Sequence, residues 1–217
     1  MKCSRQFFSL LFMLFSITVN AQQVEYNLVQ MLQNGQILLM KTSAPSSAVR
    51  ITDSTDRPAV NLQGNAWLKD LAFTNGRIDI DLRGKNIPGQ SFIGLAFSGE
   101  NDSNYECVYF RPFNFESADN MHRVHMVQYM SLPGNEWFVL REHHPLVFEN
   151  TISPAPNPAR WFHATIVADS DSLRVYVNAS KEPCLRVKRF KNHSGEKFGL
   201  WCSELSGDFA NLVITKN

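Results

Sequence analysis

Arg77-Ile78-Asp79-Ile80-Asp81-Leu82-Arg83 alternates without a break between aliphatic and charged side chains. Successive side chains of a β-strand point to opposite faces, so Ile78, Ile80 and Leu82 face a core while Arg77, Asp79, Asp81 and Arg83 face out. Asn75-Gly76 just before it is a hairpin turn signal. On the other side, Gly84 to Gly89 reads as a loop. Ser91-Phe92-Ile93-Gly94-Leu95-Ala96-Phe97 is then apolar almost throughout, as a strand buried on both faces would be. A polar turn over Gly99 to Asn104 leads into the strand Tyr105 to Phe115. A second turn over Glu116 to Asn120 leads into the strand Val124 to Leu132. Further strands are expected at Trp161–Ala168, Leu173–Asn178, Leu185–Phe190, Lys197–Trp201 and Phe209–Ile214, with polar turns between them. A long connection from Pro133 to Pro158 carries Trp137, Arg141, His143, His144 and Glu149. No stretch sustains a 3.6-residue period. Short strands at such spacing mean an all-β sandwich or barrel.

Upstream, residues 22–65 are expected to supply edge strands and loops, with short strands at Gln36–Met40, Val49–Ile51 and Ala59–Leu62. A separate unit of that size would be too small to hold a core. Residues 22–217 therefore read as a single β-sandwich domain whose main body is 66–217. The first 21 residues read differently. Lys2 and Arg5 precede an apolar run from Phe7 to Val19, and Val19-Asn20-Ala21 offers small residues at a cleavage site. This is the pattern of a secretory signal peptide. The run of about 13 residues is short of the roughly 18–20 that span a bilayer. Cleavage near Ala21 implies a secreted or periplasmic protein of 217 − 21 = 196 residues with no membrane span. Losing Lys2 and Arg5 leaves 19 of the 21 basic side chains against 20 acidic ones, so there is no basic excess for a nucleic acid. Cys107, Cys184 and Cys202 remain, an odd number that allows at most one internal bridge. Their apolar surroundings read as small buried hydrophobes, and Cys184 with Cys202 is a pair that an oxidising compartment could join.

Seven segments, in order, carry a resemblance. They are F-x-N-G-x-I-x-I-D-L-R-G (Phe73 to Gly84), S-F-I-G-L-A-F (Ser91 to Phe97), Y-E-x-V-Y-F-R-P-F-N-F (Tyr105 to Phe115), W-F-H-A-x-I (Trp161 to Ile166), L-R-V-Y-V-N (Leu173 to Asn178), F-G-L-W (Phe198 to Trp201) and G-D-F-A-N-L (Gly207 to Leu212). Over 66–217 this order resembles secreted bacterial domains of the concanavalin A-like lectin/glucanase superfamily, with laminin G-like modules as relatives. The resemblance implies a two-sheet antiparallel jelly roll with a concave face and loops at its rim. It constrains function less, because lectins, glycosidases, peptide binders and adhesion modules share that fold.

Tyr105 to Phe115 packs aromatics together with a forked cation and an amide, unlike a plain core strand. A hairpin turn centred near Ala118 pairs Arg111 with His125, Tyr109 with Val127 and Cys107 with Tyr129, and pairs Asn114 with His122 and Val108 with Gln128 on the other face. Pro112 places Arg111 and Asn114 at a bulge or edge. Phe110, Phe113 and Phe115 read as core. Sugars present apolar C–H faces to aromatic rings and fans of hydroxyls to amides and cations. Tyr109, Arg111, Asn114, His125, Gln128, Tyr129, Trp137 and Arg141 supply that mixture and are the candidate ligand-binding residues, with a glycan as partner. Sugar cleavage is the alternative, and an adhesion module a third class. Glycoside hydrolysis usually needs two facing carboxylates, for which Glu106 and Glu149 are the candidates. Laminarinase-type members of the superfamily carry Glu-x-Asp-x-(x)-Glu on one strand. Asp79 and Asp81 occupy such a strand here, but arginines stand where both glutamates belong. No zinc spacing is present and no cofactor is expected. Glu100 to Asn104 offers oxygens that calcium could use, without a recognised loop pattern.

Overall fold

The alternating stretch forms the middle strand of a sheet. The computed structural model describes residues 22–41, 46–52, 57–190 and 192–216, so the segment read as a signal peptide lies outside the described residues. In chain order the elements are β1 (Gln22–Tyr26), α1 (Leu28–Gln33), β2 (Ile37–Leu39), β3 (Ser47–Thr52), β4 (Pro58–Gln63), β5 (Asn65–Ala72), β6 (Gly76–Arg83), β7 (Ser91–Asn101) and β8 (Asn104–Phe110). A 3-10 turn (Pro112–Asn114) and α2 (Asn120–Arg123) lead to β9 (Val127–Leu132), α3 (Trp137–His143) and β10 (Glu149–Asn150). The chain ends with β11 (Phe162–Ala168), β12 (Ser172–Val177), β13 (Leu185–Lys188), β14 (Lys197–Glu204) and β15 (Gly207–Lys216).

Among the described residues these strands make two antiparallel sheets. One has eight strands in the order β13-β12-β11-β6-β15-β4-β3, with β1 beside β15. The other has seven, in the order β10-β9-β8-β7-β14-β5-β2. The architecture is the expected all-β sandwich. Strands from residues 22–65 join both sheets, β1, β3 and β4 in the first and β2 in the second.

Between the sheets lies the core. Ile78, Ile80 and Leu82 of β6 are fully buried there, as their alternation requires. Ile93, Leu95 and Phe97 of β7 and Val108 and Phe110 of β8 face them from the other layer. Phe110 meets Phe162 edge-on at 5.1 Å, and Phe115 reaches the same ring at 5.3 Å. One end of the core is closed by a buried ion pair. Both oxygens of Glu106 accept from Arg189, at 2.9 and 2.6 Å, and Tyr129 donates a third bond at 2.7 Å. Arg189 also donates to Thr74 O, Asn75 Oδ1, Asp169 O and Ser98 Oγ, so its desolvation is fully offset.

Among the described residues, three short helices interrupt what the sequence reads as turns or connections. α1 is capped by Asn27, whose side chain accepts from Gln30 N at 3.0 Å, and α2 by Asp119, which accepts from Met121 N at 2.8 Å. α3 falls within the Pro133–Pro158 connection. It is too short to show a period, yet it positions three side chains of the site. Cys184 and Cys202 are not bridged: Cys184 precedes β13 in the eight-stranded sheet, while Cys202 is in β14 of the seven-stranded one.

Candidate functional site

The outer face of the seven-stranded sheet, turned away from the core, carries a cleft of about 1030 Å³. Its floor is one cross-strand row: Asn65 (β5), Trp201 (β14), Gly94 (β7), Tyr109 (β8), Gln128 (β9) and Glu149 (β10) lie side by side in register. Gly94 is a glycine because its neighbours leave no room. A Cβ there would lie 2.1 Å from Val108 O and 2.7 Å from the Tyr109 Cβ. That gap lets Tyr109 and Trp201 close over it, their ring centroids 5.1 Å apart. Phe92 and Phe113 pack edge-on at 5.5 Å and form one wall. Phe113, expected in the core, is only half-buried and lines the cleft instead.

At the β10 end the row becomes polar. Arg111, just past β8, is 5% exposed. Its guanidinium donates to His125 O at 3.0 Å, to the Tyr109 hydroxyl at 2.6 Å and to Gln128 Oε1. Tyr109 in turn donates to Gln128 Oε1 at 2.9 Å. Glu149 lies beneath this group, 3% exposed. Arg141 of α3 grips it with two bonds, at 3.1 and 2.8 Å. His125 Nδ1 is 2.7 Å from its Oε2, and Arg111 is 3.8 Å away. One carboxylate thus gathers two guanidiniums and an imidazole from three separate segments. Asn114, 4% exposed, donates to His125 O at 3.2 Å and holds the same loop. Burial lowers the affinity of Arg111 for its proton and does the same for His125, where it outweighs the pull of Glu149. Burial also pushes the Tyr109 phenol well up, so it stays a neutral donor.

Above this group stand two rings that face water. Trp137 and Phe138, the first residues of α3, are 46% and 53% exposed and line the cleft together. Arg141 lies over the Trp137 ring at 5.1 Å.

Of the eight ligand-binding candidates, six line the cleft: Tyr109, Arg111, Asn114, His125, Trp137 and Arg141. Gln128 is in the floor row, wholly buried and bonded to Tyr109 and Arg111. Tyr129 is not in the cleft. Its side chain is on the core face, bonded to Glu106. The cause is a register one residue away from the expected one. Tyr109 pairs with Gln128 and Val108 with Tyr129, because residues 112–126 form a 3-10 turn and a helix rather than a tight hairpin. Glu106, a candidate acid, is on that same inner face, tied to Arg189. Glu149 is at the base of the cleft with both oxygens occupied. In the turn with the calcium-type oxygens, Asp102 accepts from Lys41 N and Trp67 Nε1, and Glu100 accepts from Ser194. Sequence reasoning missed Phe92, Tyr105, Phe138 and Trp201. For Phe92, Tyr105 and Trp201 the only signal is an aromatic on neighbouring strands, which becomes a surface once register is known; Phe138 is on α3, next to Trp137.

No protein-family model and no curated protein matches this sequence. Solved structures do resemble the fold. A carbohydrate-binding module, CBM66 of Bacillus subtilis, superposes with a TM-score of 0.52 at 12% identity, covering 78% of this chain and 94% of that one. Domain 4 of AbnA, an extracellular arabinanase of Geobacillus stearothermophilus solved with arabinotriose, gives 0.51 at 12% identity, covering 83% and 81%. The exoplasmic/lumenal domain of VIP36 in its calcium-bound form gives 0.51 at 11% identity, covering 85% and 91%. At these identities the likeness is one of fold.

Proposed function

We propose that this protein binds a glycan in the cleft, by ring stacking and hydrogen bonds, without covalent chemistry. The observation that carries the reading is the pairing of two half-exposed rings, Trp137 and Phe138, with a fixed polar group of Arg111, Asn114, His125 and Arg141 below them. Exposed aromatics beside rigid donors are what a sugar's two surfaces require, and a volume near the top of the roughly 300–1,000 Å³ range of ligand sites suits an oligosaccharide. That CBM66 is a carbohydrate-binding module and that AbnA domain 4 was solved with arabinotriose supports the reading. Hydrolysis by the two glutamates is disfavoured by position: Glu106 and Glu149 are on opposite faces of the sheet and each is held by an arginine. Export from the cytoplasm is part of the proposal and rests on the sequence of residues 1–21 alone.

A glycan array probed with the protein from Gln22 onward tests this. Saturable binding to at least one oligosaccharide is expected, with no product released on prolonged incubation. Trp137→Ala should weaken that binding at least tenfold while leaving the unfolding midpoint unchanged, since the ring is half in water. Absence of binding to every glycan would sink the reading in favour of a protein-adhesion role. Release of sugar would replace it with catalysis.

A further inference from the structure

The polar end of the cleft holds more donors than its own acceptors use. Among the described residues, Arg111 Nε and Arg141 Nη1 make no hydrogen bond. Neither atom is sealed away: among the described residues, the buried side-chain nitrogens and oxygens without a well-aligned hydrogen bond are His125 Nδ1, which faces Glu149 at 2.7 Å, and Arg174 Nε. Both therefore meet solvent, on residues that line the cleft. His122, whose Nδ1 lies 3.7 Å from Asp119, is on the same lining. On the acceptor side, Glu149 has both oxygens committed to Arg141. Glu136 turns its carboxylate onto Gly134 N at 3.1 Å, and Glu204 is at the exposed end of β14. At this end two fixed guanidiniums stand over one carboxylate and keep two N–H groups unused in a partly desolvated place, where charge-assisted bonds to an anion are strongest, while Glu136 and Glu204 add two carboxylates to the lining as a whole.

We infer that this end of the cleft takes an acidic sugar, one carrying a carboxylate or a sulfate. The anionic group sits between Arg111 and Arg141, and the ring bearing it lies against Trp137. A neutral sugar would leave the two guanidiniums facing hydroxyls alone. The inference rests on the glycan reading above and narrows it.

Two matched pairs of polymers test it by titration calorimetry: polygalacturonate against its fully methyl-esterified form, and dextran sulfate against dextran. The acidic member of at least one pair should bind at least tenfold tighter than its uncharged partner. The pair that shows the difference tells carboxylate from sulfate. Arg141→Gln should remove that preference and Arg141→Lys should restore part of it. Arg186→Gln, on an exposed strand of the opposite sheet, should leave it intact and so controls for general attraction of polyanions. Equal binding to charged and uncharged members overturns the acidic assignment and leaves glycan binding standing. A preference that survives Arg141→Gln, or is lost in Arg186→Gln, also overturns it. If neither these polymers nor any array glycan binds, the broader reading fails instead. Should Arg141→Gln not fold, His125→Gln with Arg141→Lys carries the same comparison.

Discussion

At the scale of single residues, the two glutamates separate structure from site. Glu106 and Arg189 are both buried, and the pair is completed by Tyr129, Ser98 and three groups from neighbouring turns. Removing the charge from one side leaves a buried guanidinium without its counter-ion, which costs about 3–5 kcal/mol. Glu106→Gln should therefore lower stability by that amount in urea unfolding, while the folded fraction binds glycan with unchanged affinity. A loss of affinity at constant stability would place Glu106 in the site after all. Glu149→Gln behaves differently. It loosens Arg111, His125 and Arg141 at once, so it should reduce stability by about 2–4 kcal/mol and weaken ligand binding in the protein that remains folded. A Glu149→Gln variant with full affinity would show that Glu149 does not position those three side chains.

At the scale of elements, the pairing of β6 with β11 carries a charge clamp on its outer face. His163 Nδ1 is 2.8 Å from Asp81 and its Nε2 is 3.2 Å from Asp79, and Thr165 also donates to Asp79 at 2.6 Å. Hydrogen bonds to Asp79 and then Asp81 raise the His163 pKa to about 9. Burial alone would raise that of Asp79, but bonds from His163, Arg77 and Thr165 outweigh it and hold the carboxyl well below its usual range. The histidine's contribution is thus complete below its unfolded pKa of about 6.5 and is lost as pH rises through about 9. The carboxylate's contribution is present above about 3.9 and is lost on acidification. Since the ring is more than a third exposed, screening leaves about 1 kcal/mol. Unfolding free energies measured in urea from pH 6 to pH 10 should fall by that amount in the native protein and stay flatter in His163→Gln. The aspartates of this clamp were legible from the sequence as one outer strand face, because strict alternation fixes faces without any partner. Their histidine was not, since Asp81 and His163 become neighbours only through the register of β6 and β11. The same limit explains Tyr129. Its own strand was legible, but fifteen residues of turn and helix decided which way it faced.

At the scale of the whole molecule, the two sheets share one core and the site is built on one of them. Legibility follows that division. The core came from local patterns, Ile78-Ile80-Leu82 above all, while the cleft floor needed six strands in register and could only be guessed one strand at a time. The cysteines report on both layers. Cys107 and Cys202 are buried in the seven-stranded sheet, and Cys184 belongs to the opposite layer. Burial raises all three thiols, Cys184 to about 12, so none is a ready thiolate at neutral pH. In the protein from Gln22 onward, Ellman's reagent should therefore find no reactive thiol in the native state and three in urea. If the layers open together, the thiols should become reactive with one common midpoint, matching the loss of tryptophan fluorescence from Trp67 and Trp201 in the seven-stranded sheet. Reductant should leave that midpoint unmoved, because no bridge joins the sheets. Early labelling of Cys184 alone would mean instead that the β12–β13 edge opens by itself, with the layer that carries the cleft still intact.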